Sequence, residues 1–296
     1  MHGTEIPNDL TFDHLDLDNL TEEQKNEIER SCFNNIVAEK WKNKSLRVPV
    51  AAPSFADYNQ DLWNVFTHYA GTMNGKRVLE LGCGSGEIAT WMALNGAVVS
   101  ASDVSDESIN YAHKRNAENK TAVDFTVGTG EHIPYADETF DLVTINVALH
   151  HMDVPKALRE IKRVLKPGGA LVCVEPFIFS DRLQAMRHSR LAQKLFPERR
   201  ETPTERMLDR RDEAEIRAVF GNSNVQMQPV RSFSSAVMKV PFFNQTTSAL
   251  ARLQGRDIET ARKSLVRNIQ HIDGLLTRTI PGITSLSRYV IIKAVK

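Results

Sequence analysis

The stretch Lys76-Arg-Val-Leu-Glu-Leu-Gly-Cys-Gly-Ser-Gly-Glu-Ile-Ala-Thr90 decides the fold of this 296-residue chain. Val78, Leu79 and Leu81 read as a buried strand, Gly82, Gly84 and Gly86 as a turn, and Glu87 as the start of a helix. Glycine suits such a turn because it takes positive φ and has no Cβ to hold a ligand away. The helix start offers free backbone N–H groups and the positive end of its dipole. Strand, turn and helix together make a seat for a nucleoside-bearing ligand.

The glycine spacing narrows the choice of ligand. A dinucleotide fingerprint, G-x-G-x-x-G, would put its third glycine at position 87, where Glu87 stands. The chain reads E-x-G-x-G-x-G instead, with Glu80 two places before the first glycine. This pattern resembles motif I of the class I S-adenosylmethionine-dependent methyltransferases. The resemblance implies that Glu80 and the turn Gly82-Cys83-Gly84-Ser85-Gly86 hold the amino acid end of that cofactor. A carboxylate there attracts an ammonium and a sulfonium and would repel a pyrophosphate. An ordinary βα turn in another α/β protein is the plainer alternative.

Composition excludes several classes. Lys plus Arg and Asp plus Glu number 37 each, and a balanced charge argues against a nucleic-acid partner. Cys32, Cys83 and Cys173 are far apart, with no C-x-x-C pair and no histidine cluster at ligand spacing. Neither a disulfide scaffold nor a metal site is expected. No stretch is apolar enough to span a bilayer, and the acidic N-terminus lacks a signal-peptide layout. A cytoplasmic location without a membrane partner is the expectation, and a homo-oligomer stays open.

Before the core, residues 1–20 read as an acidic arm. A helix capped by Thr21 follows, with Ile28, Cys32, Ile36 and Val37 on one face. It ends at Ala38-Glu-Lys-Trp41, similar to the A-E-K-Y ahead of the core in ubiquinone/menaquinone-type methyltransferases. The resemblance puts Trp41, in place of the usual tyrosine, near the cofactor; an anchor at the core edge is the alternative. Tyr58 is a second aromatic candidate for closing over the site, and a helix over Asp61–Tyr69 leads into the central strand.

After the glycine turn, a helix runs to Asn95-Gly96 and a second strand over Ala97–Ser102, with Asp103 at its end. A carboxylate there can accept both hydroxyls of a ribose, with Val104 against the adenine. Asp103 as a helix cap is the alternative. The third strand, Ala122–Val127, runs into Gly128-Thr-Gly-Glu-His-Ile-Pro-Tyr135. The family usually reads G-D-A-E-x-L-P-F here, and its Asp binds the adenine amino group. Thr129 replaces that Asp, so backbone groups of Thr129 and Gly130, with Glu131 beside them, are the candidate contacts. Strand four, Leu142–Val147, is apolar enough to be buried on both faces, and Asn146 near its tip completes the cofactor set.

Then come His150 and His151, a helix over Pro155–Leu165, the stop Lys166-Pro-Gly-Gly169, and a strand Ala170–Val174 ending at Glu175. This block resembles the H-H-M-x-D…A-L-R-E-x-x-R-V-L-K-P-G-G of small-molecule methyltransferases. The resemblance makes His150, His151 and Glu175 the candidate bases, converging from two strand tips beside the methyl group. His151 is favoured, because an imidazole titrates near working pH, with Glu175 orienting it or binding the acceptor. Histidines that merely shape the pocket are the alternative.

Past Pro176 the resemblance thins. Arginines in 180–217 alternate with acids, which suits a solvated helical face better than an anion-binding lid. Asp209–Phe220 reads as a core helix, Asn224–Val230 as strand six and Arg288–Val295 as the last strand. Roughly fifty residues separate those strands, including a helix with Ile258, Leu265, Ile269, Ile272 and Leu276 on one face. The expected organisation is an arm and lid helix (1–60), a cofactor-binding core (61–179), a cap (180–208), a core helix and strand (209–230), a helical cap insertion (231–284) and a last core strand (285–296). The cap segments are expected to form a mobile lid that determines the acceptor.

The resemblance implies a doubly wound, Rossmann-like α/β sheet of order 3-2-1-4-5-7-6 with the last strand antiparallel. It also implies methyl transfer from S-adenosylmethionine to a small organic acceptor, at oxygen in preference to nitrogen or carbon. A macromolecular methyltransferase would show a basic groove or an N/D-P-P-Y/F motif, and strand four shows neither. A protein that binds the cofactor without methylating, a cyclase for example, is the other rival.

Overall fold

Alternation along one strand divides the core in two. In β1 (Arg77–Leu81), Val78 points to one face, and Leu79 and Leu81 point to the other, as a period of two requires. The computed structural model describes residues 20–41, 44–180, 206–230, 242–280, 283 and 287–296. Seven strands form its sheet: β1, β2 (Val98–Asp103), β3 (Asp124–Val127), β4 (Phe140–Asn146), β5 (Leu165–Pro176), β6 (Val225–Val230) and β7 (Tyr289–Val295). Their order is β3-β2-β1-β4-β5-β7-β6, and β7 alone runs antiparallel to its neighbours β5 and β6. This is the predicted topology.

Eleven segments of helix, α or 3-10, flank the sheet or join it among the described residues. On the Val78 face, α3 (Gln60–Ala70), α4 (Glu87–Leu94) and α5 (Asp106–Asn119) bury Trp63, Phe66, Trp91 and Ile109. On the Leu79 face, a helix over Val154–Val164 buries Leu158 and Ile161, and one over Arg210–Phe220 buries Ile216 and Phe220. The first of these opens on Asp153, whose carboxylate accepts the Lys156 amide at 3.2 Å, with Pro155 in the first turn. Each large side chain so buried contributes about 1.5–3 kcal/mol, and the two layers hold the strand tips fixed.

Two boundaries differ from the sequence reading. Lys166-Pro-Gly-Gly169, expected as a stop, is the first part of β5. Phe140 pairs with Leu165 and Leu142 with Ala170, so a bulge absorbs the extra residues, while the Gly168 amide donates to Lys296 O and Gly169 O accepts the Lys296 amide, both at 2.9 Å. In the insertion, helices Phe242–Gln254 and Ile258–Thr279 stand between β6 and β7. The second packs against α3 and the short helix Phe55–Tyr58, where Lys263 pairs with Asp57 at 2.7 Å. Its buried positions include Ala261, Val266, Gln270 and Asp273; Ile258 and Ile272 of the predicted stripe are 59% and 51% exposed. The helix is therefore rotated from the orientation its aliphatic residues suggest. The expected cap over 180–208 falls almost wholly outside the described residues, as do 231–241.

At the N-terminal side, Thr21 and Gln24 cap α1 (Glu22–Lys40) reciprocally, each side chain accepting the other's amide. This helix crosses the carboxyl ends of the strands.

Candidate active site

The cavity that matters opens at the carboxyl ends of β1, β2 and β4, where doubly wound sheets bind their ligands. Its floor is Gly82 and Gly84. Asp103 and Val104 end β2, residues 128–131 follow β3, and Asn146, Val147, Ala148, His151 and Met152 follow β4. The roof is α1 and its end: Asn26, Glu29, Phe33 and Trp41.

Backbone conformation explains the floor. Gly82 has φ +66°, and a Cβ there would lie 2.3 Å from the Ala148 Cβ, so β1 and the β4 loop can meet only at a glycine. The Cys83 amide donates to Ser102 O at 3.0 Å and the Gly84 amide to the Asp103 carboxylate at 2.8 Å. These bonds tie the turn to β2. Asp103 also accepts the Ser105 amide at 3.0 Å, and Ser105 caps α5, so Asp103 itself precedes the cap. Burial raises its carboxyl group above the ordinary range, while the Ser105 and Gly84 amides, the Ser108 side chain and His151 oppose the rise.

Not every predicted residue reaches the cavity. Gly86 has φ +70°, and its missing Cβ makes room for the Phe125 ring (2.7 Å) and Ala112 (2.8 Å), so this glycine serves helix–strand packing. Cys83 is buried off the cavity wall, and burial with the nearby Asp103 and Glu80 charges keeps its thiol protonated. Glu80 lies beneath the turn, 2% exposed. Burial, reinforced by Asp103 and Glu87 and opposed by the Ala89 amide, raises its carboxyl group to about 8. The backbone of Tyr58 lies in the helix Phe55–Tyr58, beside the long insertion helix, and its side chain is outside the described residues. Trp41 does border the cavity: its ring lies 3.3 Å from where a Gly84 Cβ would stand and packs on Tyr111 at 5.6 Å.

The three candidate bases divide. Burial puts Glu175 and His150 behind the cavity wall, so they do not converge with His151 as expected. Glu175 Oε2 lies 2.7 Å from His150 Nδ1, and its Oε1 accepts the Ala148 and Leu149 amides at 3.0 and 2.8 Å. The pair thus braces the loop after β4. His151 is the histidine on the cavity wall, and its partner is Glu29 of α1 at 3.1 Å, not Glu175. The 3-10 turn Leu149–His151 separates the two rings by side while keeping their centroids 4.1 Å apart. Just before it, Val147 has φ +58°, an unusual conformation for a β-branched residue, sited at the strand tip.

Of the roof, the sequence reading found the lid helix and Trp41 but not Glu29, Phe33 or Asn26. Glu29 neighbours Ile28 and sits one turn before Cys32, so it shares the apolar face of α1, a signal for a buried acid. Phe33 and Asn26 gave no comparable signal. The roof is fastened at several points: Arg30 donates to Val104 O at 3.2 Å, the Ser105 hydroxyl donates to Asn34 at 2.6 Å, and Asn34 donates to Asp106 at 3.1 Å.

Charge decides what this cavity can hold. Among its described lining residues are Glu29, Asp103 and Glu131, with Glu80 just beneath, and no Lys or Arg. Two buried acceptors on the wall, Asn146 Oδ1 and Glu131 Oε2, lack hydrogen-bond partners, as does Glu80 Oε2 below. Burial raises the Glu131 carboxyl group, though the Asp153 amide donates to its other oxygen at 2.6 Å. An anionic cavity with unfilled acceptors suits a cation carrying several donors and disfavours a pyrophosphate. Residues 79–173 match the family described as a methyltransferase domain.

Residues 79–173 are a methyltransferase domain of the class I, S-adenosylmethionine-dependent type. Its cofactor is S-adenosylmethionine, whose ammonium and hydroxyl groups donate hydrogen bonds and whose sulfonium carries positive charge, a match to this acidic lining. The chain is 37% identical over 119 residues to a demethylmenaquinone methyltransferase of Clavibacter sepedonicus, covering 40% of this chain and 48% of that one. It is 30% identical over 158 residues to the methyltransferase GfsG of Streptomyces halstedii, covering 52% and 55%. The chain thus spans about half the length of these curated relatives. Among solved structures, the [4+2]-cyclase SpnF superposes with a TM-score of 0.55 at 22% identity, over 93% of this chain and 96% of that one. That likeness concerns the fold. Among the described residues of the methyltransferase domain and its flanks, no helix is long and apolar enough to cross a membrane.

Proposed function

We propose that this protein transfers the methyl group of S-adenosylmethionine to a small organic acceptor, at oxygen in preference to nitrogen or carbon, within specialised metabolism. The observation that carries the reading is the cavity: acidic, free of Lys and Arg among its described lining, and bordered by His151. The bound cofactor would supply an activated methyl on a positively charged sulfur. Asp103 would accept the ribose hydroxyls, Asn146 and Glu131 would accept further donors of the cofactor, and Glu80 would answer the positive charge from beneath the turn. Phe33, Trp41 and Met152 would exclude water from the acceptor.

His151 would take the acceptor's proton. An unaided alcohol is a poor nucleophile at neutral pH, and a placed base contributes on the order of 10²–10⁴ in rate. The relative from Clavibacter, named for demethylmenaquinone, makes a quinone-type ring, offered both oxidised and as its reduced hydroquinone, the first acceptor class to try. The test is incubation with donor labelled in the methyl group and a fractionated metabolite extract. Label in a small-molecule fraction supports the reading; label confined to protein or RNA, or cofactor binding with no transfer to any fraction, would sink it.

A further inference from the structure

The roof helix carries a carboxylate that the chemistry described so far leaves without a role. Glu29, 3% exposed in the middle of α1, puts its Oε2 3.1 Å from Nδ1 of His151. The imidazole is gripped on two further sides, by the Phe33 ring edge-on at 5.3 Å and by the His150 ring at 4.1 Å. We infer that Glu29 is a positioning residue for the proton acceptor, fixing the His151 tautomer that carries its lone pair on Nε2.

The physical argument follows from the donor inventory. A neutral imidazole has one N–H and one lone pair, and the hydrogen bond made by one nitrogen selects the role of the other. Glu29 Oε2 stands at ion-pair distance from Nδ1 and not in hydrogen-bond alignment; its negative charge there favours the hydrogen on Nδ1, which leaves Nε2 as the basic atom. When the acceptor's O–H bond breaks, its proton passes to Nε2 and the bonding pair stays on oxygen. The imidazolium so formed is stabilised by the Glu29 charge and later returns its proton to water. Other charges face this ring: Asp103 across the cavity, Glu131 on its far wall, and Glu175 behind His150. Of these, Glu29 is the one in direct contact through Nδ1. Because it arrives on α1, the base is completed only while the roof is docked on Val104, Ser105 and Asp106.

The inference rests on His151 acting as the base, so the test has a readout that does not need an acceptor. Protein labelled with ¹⁵N at histidine and saturated with S-adenosylhomocysteine is followed by long-range ¹H–¹⁵N NMR, with His151→Asn used to assign the ring. Wild type should show the Nδ1–H tautomer. Glu29→Gln, close in shape, should lose the preference for that tautomer and lower the ring's titration midpoint by roughly one pH unit. Turnover should fall about tenfold or more, with its rising pH limb displaced the same way, and Glu29→Asp should recover part of the loss. An Nε2–H tautomer in wild type, or a tautomer and midpoint unchanged in Glu29→Gln, overturns the pairing whatever the enzyme's acceptor. A Glu29-dependent tautomer beside full turnover in His151→Ala overturns the base itself, and the positioning role with it.

Discussion

The carboxylate of Glu175 lies 2.7 Å from Nδ1 of His150, and both side chains are sealed from solvent. Three groups depend on this one carboxylate: the His150 ring and the amides of Ala148 and Leu149. Glu175→Ala would leave them buried and unpaired, at about 1–3 kcal/mol each before relaxation. We expect a loss of at least about 3 kcal/mol, read as a fall in Tm of roughly 6–12 °C for a chain of this size. Glu175→Gln keeps an acceptor oxygen and should lose less. A Glu175→Ala protein that melts like wild type but turns over slowly would return Glu175 to the list of bases.

Two glycines of one turn should fail in different ways. A methyl at Gly86 meets Phe125 and Ala112 at 2.7–2.8 Å and also requires positive φ, so Gly86→Ala should destabilise the fold by several times the roughly 1–2 kcal/mol cost of the conformation alone. At Gly84 the nearest atom is 3.3 Å away on the Trp41 ring, so Gly84→Ala should be milder in Tm and harsher in affinity for S-adenosylhomocysteine. Thermal unfolding and calorimetry on both variants check this. Equal losses of affinity, with equal Tm, would show that Gly86 touches the cofactor after all.

How much the sequence could tell depended on the range of each contact. The strand, turn and helix at 76–94 were legible because their signals are local, and Asp103 because the length of a βαβ unit places it. The Glu29–His151 contact joins residues more than a hundred positions apart, and no local pattern links them. His150, His151 and Glu175 do lie together, yet neighbouring histidines in a 3-10 turn point to different sides. Nothing in two adjacent letters says which faces the cavity. Gly86 reads like its neighbours for the same reason: positive φ and close packing both call for glycine. The insertion helix misled because aliphatic Ile258 and Ile272 are exposed while polar Gln270 and Asp273 are buried, the reverse of what their side chains suggest.

Asp103 should be the residue on which affinity depends most. Its oxygens already accept the Gly84 and Ser105 amides, which fixes the carboxylate for a diol instead of leaving it to swing. A charge-assisted hydrogen bond contributes roughly 1.5–3 kcal/mol. Asp103→Ala should therefore weaken S-adenosylhomocysteine binding about tenfold or more, since ~1.4 kcal/mol is a factor of ten. Asp103→Asn should fall between, keeping one acceptor and losing the charge. Unchanged affinity in Asp103→Ala would remove the ribose assignment, and tighter binding of NAD than of S-adenosylhomocysteine would remove the cofactor assignment.

Glu80 should make binding depend on pH in a particular direction. Burial holds its carboxyl group at about 8, against an ordinary 4.5, so at neutral pH the free protein carries it mostly protonated. A cation seated over the turn favours the charged form and should pull that value down, releasing a proton on binding. Affinity should then rise with pH between about 6 and 8 and flatten above, where the group is already ionised. The free protein should respond the opposite way. A carboxyl group raised by folding stabilises the native state fully below its unfolded value of 4.5, and that contribution is lost as pH climbs toward 8. Tm of the free protein should thus drift downward over this window, and bound S-adenosylmethionine should oppose the drift. Calorimetric titration at pH 7 in two buffers of different ionisation enthalpy counts the proton directly. Glu80→Gln should abolish the release, and a wild-type titration with no buffer dependence would mean that Glu80 does not sense the bound charge.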